Sequence, residues 1–163
     1  QKASVWVKSL DLIPHPEGGS YRETYVCPKK TRGRALATSI FYLLQKGERS
    51  CLHRLDADEL WYHLDGQPLT IHAIAKNGEH SRHRLGKNPR NGEEPMLCIP
   101  AGTIFGAELP PGTEYCLTAC VVTPGFQFEK FELPNRRDLL EAYPDHAELI
   151  MRLTQPDQES ASE

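Results

Sequence analysis

The chain has 163 residues, 39% hydrophobic and 25% charged, with a net charge of −3, a composition that fits one ordinary soluble domain around a single core. Its basic residues are scattered, and the densest cluster, "PKKTRGR" at 28–34, reads as a solvated Pro/Gly-punctuated loop, so neither nucleic acid nor membrane is an expected partner. Five cysteines without a C-x-x-C pair argue against a zinc ribbon or a disulfide framework, no run approaches the roughly 18 apolar residues of a membrane span, and cytoplasmic localisation is the expectation.

From the N-terminus, Val5, Leu10 and Ile13 recur at roughly helical intervals, which predicts a short helix over 4–12 stopped by Pro14 and Pro16. Gly18 and Gly19 then supply a sharp turn into a strand that starts near Tyr21. Short strands continue to about Thr123: 36–44 closed by Gly47, 59–64 closed by Asp65-Gly66, and 69–75 closed by Asn77-Gly78. The two dipeptides offer the positive backbone angles of tight hairpins. "EHSRHRL", a long loop, "MLCI", "TIFGAEL" and "YCLTACVVT" extend the pattern, and strands at this spacing predict an all-β sandwich or barrel. At the far end Asn135 is expected to cap a helix over 136–143, Pro144 interrupts, and Asp145 with Glu148 has the capping-box spacing for a second helix through Leu153. Residues 1–154 form one predicted domain, and the polar tail 155–163 is expected to be disordered.

The most specific pattern is Gly47, His53, Glu59 and Gly66, separated by five, five and six residues, followed by "IPAGTIFGAEL" at 99–109. It resembles the two motifs of the cupin superfamily. With "PHPEGGSYRETY" (14–25), residues 51–61, 100–106 and "PGFQFEKFE" (124–132), the chain is similar to one cupin group in particular, the family of domain of unknown function 985 (DUF985, Cupin_5). That resemblance implies a jelly-roll β-barrel with a short N-terminal helix and C-terminal helices, and a homodimer in which the N-terminal strand crosses to the partner. Many cupins hold a metal on two histidines and a glutamate of the first motif and a histidine of the second. Here Cys51 stands for the first histidine and Phe105 for the last, so any metal would rest on Cys51, His53 and Glu59, and no metal cofactor is expected.

A second resemblance is to the dTDP-4-keto-6-deoxyhexose 3,5-epimerases of the same fold. "GGSYRETY" is similar to their opening strand, with Tyr21 and Glu23 in corresponding places, and Leu52-His53 aligns with the leucine and catalytic base of their "R-G-L-H-x-Q". Their orienting aspartate and acidic tyrosine have no counterpart, although Glu59 is available to orient His53 or act as acid. The expected function is therefore binding of a small polar-aromatic or sugar-nucleotide-like ligand in the barrel, without metal. The alternative is an epimerase or isomerase with His53 and Glu59 as catalytic residues and Tyr21 and Glu23 reaching in from the neighbouring subunit.

Strand alternation completes the candidate site. If Glu59 points inward, so do Trp61 and His63, while Leu60, Tyr62 and Leu64 point outward. His72 shares a face with Thr70 and Ile74. The candidate ligand-binding set is Glu17, Tyr21, Arg22, Glu23, His53, Glu59, Trp61, His72 and Phe105, an aromatic wall with a few polar groups. Core packing is the competing reading for Trp61, His63 and His72, and turn decoration for Glu17.

Overall fold

A computed structural model of the chain describes residues 2–157. A short helix α1 (Ala3–Ser9) leads into β1 (Ile13–Pro14) and β2 (Ser20–Val26), and a small hairpin, β3 (Lys30–Thr31) and β4 (Arg34–Ala35), follows. Next come β5 (Thr38–Gln45), β6 (Arg49–Arg54), β7 (Asp58–Gly66), β8 (Leu69–Ile74), β9 (His80–Leu85), β10 (Met96–Ile99), β11 (Ile104–Glu108) and β12 (Tyr115–Thr123). Two short helices, α2 (Arg136–Ala142) and α3 (Ala147–Arg152), close the described chain. Among the described residues no helix is long and apolar enough to cross a membrane.

The strands make two facing antiparallel sheets, one of order β1-β2-β5-β12-β7-β10 and one of order β6-β11-β8-β9. Period-two alternation sends Tyr42, Leu44, Trp61, Leu69, Ile71, Phe105 and Cys120 into the space between them. Both sheets also bury part of their outer faces. Leu52, Ile74 and Ile104 of the smaller sheet pack under Leu139, Leu149, Ile150 and Leu153 of the C-terminal segment. Leu43 and Leu117 of the larger sheet lie under Leu12 and the Trp6–Leu10 side of α1. A fully buried side chain such as Ile150 contributes about 1.5–3 kcal/mol, which is how helices of six or seven residues, too short to persist alone, stay folded here.

Local details refine the expected elements. Asn135 caps α2 as predicted, its Oδ1 accepting from the Asp138 amide at 2.8 Å. Asp145 does not cap α3: Pro144 starts a 3-10 turn over Pro144–His146, and that turn feeds directly into the helix. At the ends of β6 and β7, Arg54 pairs with Glu132 and Asp58 accepts from the Ala101 amide. Of the expected disordered tail, 158–163 lies outside the described residues, whereas Asp157 accepts from the amides of Arg136 and Arg137 at 3.0 Å each.

Candidate functional site

The site begins in the turn between β1 and β2. Gly18 donates its amide to the His15 carbonyl at 3.0 Å, Cys51 donates its amide to the Glu17 carbonyl at 2.8 Å, and the Tyr42 hydroxyl donates to the Gly18 carbonyl at 2.6 Å. Gly18 has φ +111°, and a Cβ there would stand 1.9 Å from the Arg49 carbonyl oxygen, so only glycine fits. The turn is thereby pressed onto β6 and carries the Glu17 side chain indoors, 6% exposed. There Glu17 Oε2 meets His53 Nε2 at 2.9 Å.

His53 reaches this partner because β6 changes phase. His53 is opposite Phe105 and Ser50 opposite Ala107, so Cys51 and Leu52 together face the single residue Gly106, a β-bulge. A Cβ on Gly106 would lie 2.7 Å from the Ser50 carbonyl oxygen, so the bulge and the glycine require each other. Both bulge side chains turn outward. Leu52 joins the cluster under α3, and Cys51 Sγ accepts from Gln155 Nε2 at 3.9 Å. The Cys51 carbonyl, 2.7 Å from His53 Nδ1, accepts a proton held there. With Nδ1 committed as donor, the Nε2–Glu17 contact also contains a proton, and the pair is imidazolium and carboxylate.

Glu59, on the opposite sheet, faces the same space and is 6% exposed, and its Oε2 has no hydrogen-bond partner among the described residues. Burial works against each charge in this cluster. It depresses the His53 pKa, yet the charge of Glu17, the hydrogen bond to it and the charge of Glu59 raise the imidazole to about 9. Burial also raises the Glu17 carboxyl, but His53, by charge and hydrogen bond, and then His15 bring it below its ordinary value. For Glu59 burial dominates: His53 offsets part of it, the Glu17 charge adds to it, and the pKa rises to about 8. One imidazolium serves two carboxyls, so at neutral pH the pair is ionised and Glu59 is a neutral acid. His15, whose Nδ1 accepts from the Glu17 amide at 3.1 Å, has its pKa lowered by burial first.

These groups lie in a cavity of about 280 Å³ whose walls also include Tyr21, Glu23, Ile40, Phe126, Phe128 and Phe131. Of the residues singled out from the sequence, Glu17, Tyr21, Glu23, His53 and Glu59 are brought together. Tyr21 and Glu23 line the cavity of their own chain, because β2 pairs with β5 in the same sheet, Tyr21 opposite Tyr42 and Glu23 opposite Ile40. Phe105 and Trp61 lie behind the wall: Phe105 packs on the His53 ring at 4.1 Å, and Trp61 stands edge-on to Tyr42 and Phe105. His63 is buried and turned to the Gln67 carbonyl. Arg22 is on the outer face of β2, paired with Asp11 at 2.8 Å. His72 is also outside, since Leu69, Ile71 and Ala73 are the inward residues of β8, and it binds His80 and Glu108 instead. Sequence reasoning missed His15 and the three phenylalanines of "PGFQFEKFE", although the spacing Phe126, Phe128, Phe131 in a polar segment was visible.

The fold raises the question of a metal, and these side chains do not fit one. Cys51 is turned away, Phe105 occupies the place of a further histidine, and both His53 nitrogens are committed. Among the described residues no group of three or more His, Cys, Asp or Glu is arranged to hold a metal ion. What the arrangement offers is a protonated carboxyl, an ion pair and an aromatic wall.

Comparison with known proteins agrees with this architecture. The chain is similar to a crystallographically determined protein from Shewanella oneidensis, at 40% identity over 96% of this chain and 99% of that one, with a TM-score of 0.93. It is also similar to a hypothetical protein from Leishmania major, at 32% identity over 94% and 99% of the two chains, with a TM-score of 0.91. Oxalate decarboxylase from Bacillus subtilis shares the fold, with a TM-score of 0.57 at 15% identity over 94% of this chain and 42% of that one. No curated protein matches in sequence. The profile described as "Cupin superfamily (DUF985)" matches residues 4–134, and the chain belongs to the DUF985 family of cupins.

Proposed function

We propose that the protein is a metal-independent cupin that binds a small ring-shaped ligand through the mouth of its barrel. The observation that carries this reading is Glu59, a buried carboxyl whose Oε2 lacks a partner at the wall of an aromatic-lined cavity. A buried polar atom left unsatisfied costs about 1–3 kcal/mol, and a ligand acceptor such as a carbonyl or ring hydroxyl removes that cost by taking the Glu59 proton in a hydrogen bond. The phenylalanines supply the apolar faces against which a sugar or aromatic ring stacks. A volume of about 280 Å³ is just below the roughly 300–1,000 Å³ of sites that enclose drug-sized ligands. It admits one ring, and a sugar nucleotide would leave its nucleotide outside.

The test is a ligand screen by thermal shift and calorimetry over monosaccharides, nucleosides and small cyclic ketones, beside native mass spectrometry of the purified protein. A ligand whose affinity falls about tenfold or more in both Glu59→Ala and Phe131→Ala supports the reading. Affinity unchanged in both variants overturns it.

The neutral Glu59 beside an ionised His53–Glu17 pair favours proton transfer as a second reading, since separated pKa values in one pocket are how acid and base roles are divided. In that reading the Glu17 carboxylate, held by the protonated His53, takes the substrate proton as base, and neutral Glu59 supplies one as acid. Solvent-deuterium incorporation into 4-keto sugars, lost in Glu59→Gln and His53→Ala, is its signature; no exchange in the wild-type protein ends it.

Homodimerisation is proposed from the edge of the larger sheet. β1 covers β2 only at Ser20 and Tyr21, leaving the rest of that edge open beside the exposed Ile13, Tyr25 and Val26. Light scattering that gives twice the chain mass, and the monomer mass for Tyr25→Lys, is the expected result; a monomeric wild-type protein overturns it.

A further inference from the structure

The outer face of the smaller sheet carries a second polar depression, remote from the barrel. Register across that sheet sets Arg82 beside His72 and Arg84 beside Thr70, while on the other flank Glu108 faces Thr70 and Gly106, without a side chain, faces His72. From α3 Arg152 grips both Glu108 oxygens at 2.9 Å, and His72 Nε2 lies 3.0 Å from Glu108 Oε1. Two adjoining hollows, of about 390 and 510 Å³, share His72, Arg82 and Arg152.

The charges in the first hollow do not balance: among the described residues Arg82, Arg84 and Arg152 line it against one carboxylate, Glu108, which Arg152 and His72 already saturate. Hydrogen bonding to His72 and the Arg152 charge outweigh its burial and hold its pKa at about 2. In the second hollow, which Arg82 and Arg152 also line, Asp145 and Glu148 balance the charge, so the surplus lies on the Arg84 side. Among the described residues neither Arg82 nor Arg84 makes an ion pair, and the Arg84 guanidinium donates to the Asn91 carbonyl at 3.2 Å. The arginines are felt nearby: the His80 pKa is lowered first by burial and then by neighbouring groups that include Arg82 and Arg152. A chain of net charge −3 thus presents a local cationic groove.

We propose that this groove is a binding site for the phosphoryl groups of a small molecule, a mono- or diphosphate, held by Arg82 and Arg84 with Thr70 and Arg152 at its sides. Two residues along a strand span about 6.6 Å, so the two guanidinium forks project together from β9 and can grip one diphosphate from one side. Planar forks match phosphate oxygens by paired hydrogen bonds, which an ammonium cannot do. The groove is open to solvent, so its affinity depends on salt.

Inorganic pyrophosphate titrated into the 15N-labelled protein is the probe. Expected are saturable shifts of the Thr70, His72, Arg82 and Arg84 amides, binding weakened about tenfold in Arg82→Ala/Arg84→Ala, and weaker binding in 300 mM than in 50 mM NaCl. Arg84→Lys, which keeps the charge and loses the fork, is expected to bind more weakly than wild type, and Glu59→Gln equally well. Shifts confined to the barrel mouth, or unchanged binding in the correctly folded double variant, overturn the proposal. So does preferential binding of a single-stranded oligonucleotide over pyrophosphate, which would assign the groove to nucleic acid.

Discussion

Two histidine–glutamate contacts of nearly equal length, His53–Glu17 at 2.9 Å and His72–Glu108 at 3.0 Å, lie on opposite faces of the same four-stranded sheet. Outside, Glu108 has an arginine as well, its side chain is 25% exposed, and it is ionised at any physiological pH. Inside, one imidazolium is shared between Glu17 and Glu59 with no arginine or lysine among the described residues of the cavity wall, so one carboxyl keeps its proton. Identical residue types flank an arginine–carboxylate ion pair in one place and form an acid–base cluster in the other. The difference lies in burial and in the count of cations.

Breaking the inner pair has the largest expected effect. Glu17→Ala strands an imidazolium in the interior and is expected to cost about 3–5 kcal/mol in urea unfolding, with the His53 titration followed by NMR dropping from about 9 to below its ordinary 6.5. An unmoved titration would falsify the pairing. Gly18→Ala attacks the same contact through the backbone: the strained φ and the collision with the Arg49 carbonyl displace the turn that delivers Glu17, for about 2–4 kcal/mol, with the His53 titration falling in parallel.

The pH dependence sharpens the comparison further. His53, with its pKa raised, contributes stability that is complete below pH 6.5 and lost as pH rises through about 9. Glu59, also raised, contributes fully below 4.5 and loses its contribution as pH rises through about 8. Glu17, with a lowered pKa, contributes above 4.5 and loses its share on acidification. The urea midpoint is therefore expected to fall between pH 6.5 and 9, and Glu59→Gln, neutral at every pH, to flatten part of that decline. A midpoint level across this range in the wild-type protein contradicts the charge assignment. The smallest effect belongs outside: Arg152→Ala, half exposed and screened, is expected to change stability by no more than about 1 kcal/mol.

Much of this was legible in the sequence because glycine turns and alternating strands leave strong local marks. The succession of strands follows from them and the Asn135 cap from a helix-start signal, whereas His53, Glu59, Tyr21 and Glu23 were marked by the resemblance to cupin and epimerase motifs, with Tyr21 and Glu23 expected from a neighbouring subunit. His72 was assigned to the wrong face for a definite reason. In "LTIHAIA" both faces are covered, one by the opposite sheet and one by the C-terminal helices, so alternation shows which residues share a face but not which face is inside. Glu17 was ambiguous because a turn has no periodicity; its burial is created by β6, distant in sequence. Cys51, named only as a ligand for any metal, faces outward because a bulge shifts the phase of β6, and its one local mark is Gly106 on the neighbouring strand.

That bulge also limits how the protein can be re-engineered. Residue 51 is a spare position in the strand, with its side chain outside the cavity wall. Restoring the missing histidine by Cys51→His would aim an imidazole toward Gln155, away from His53. Metal-based cupin chemistry in this scaffold therefore calls for a change in strand length, and no exchange of side chains at that position supplies it.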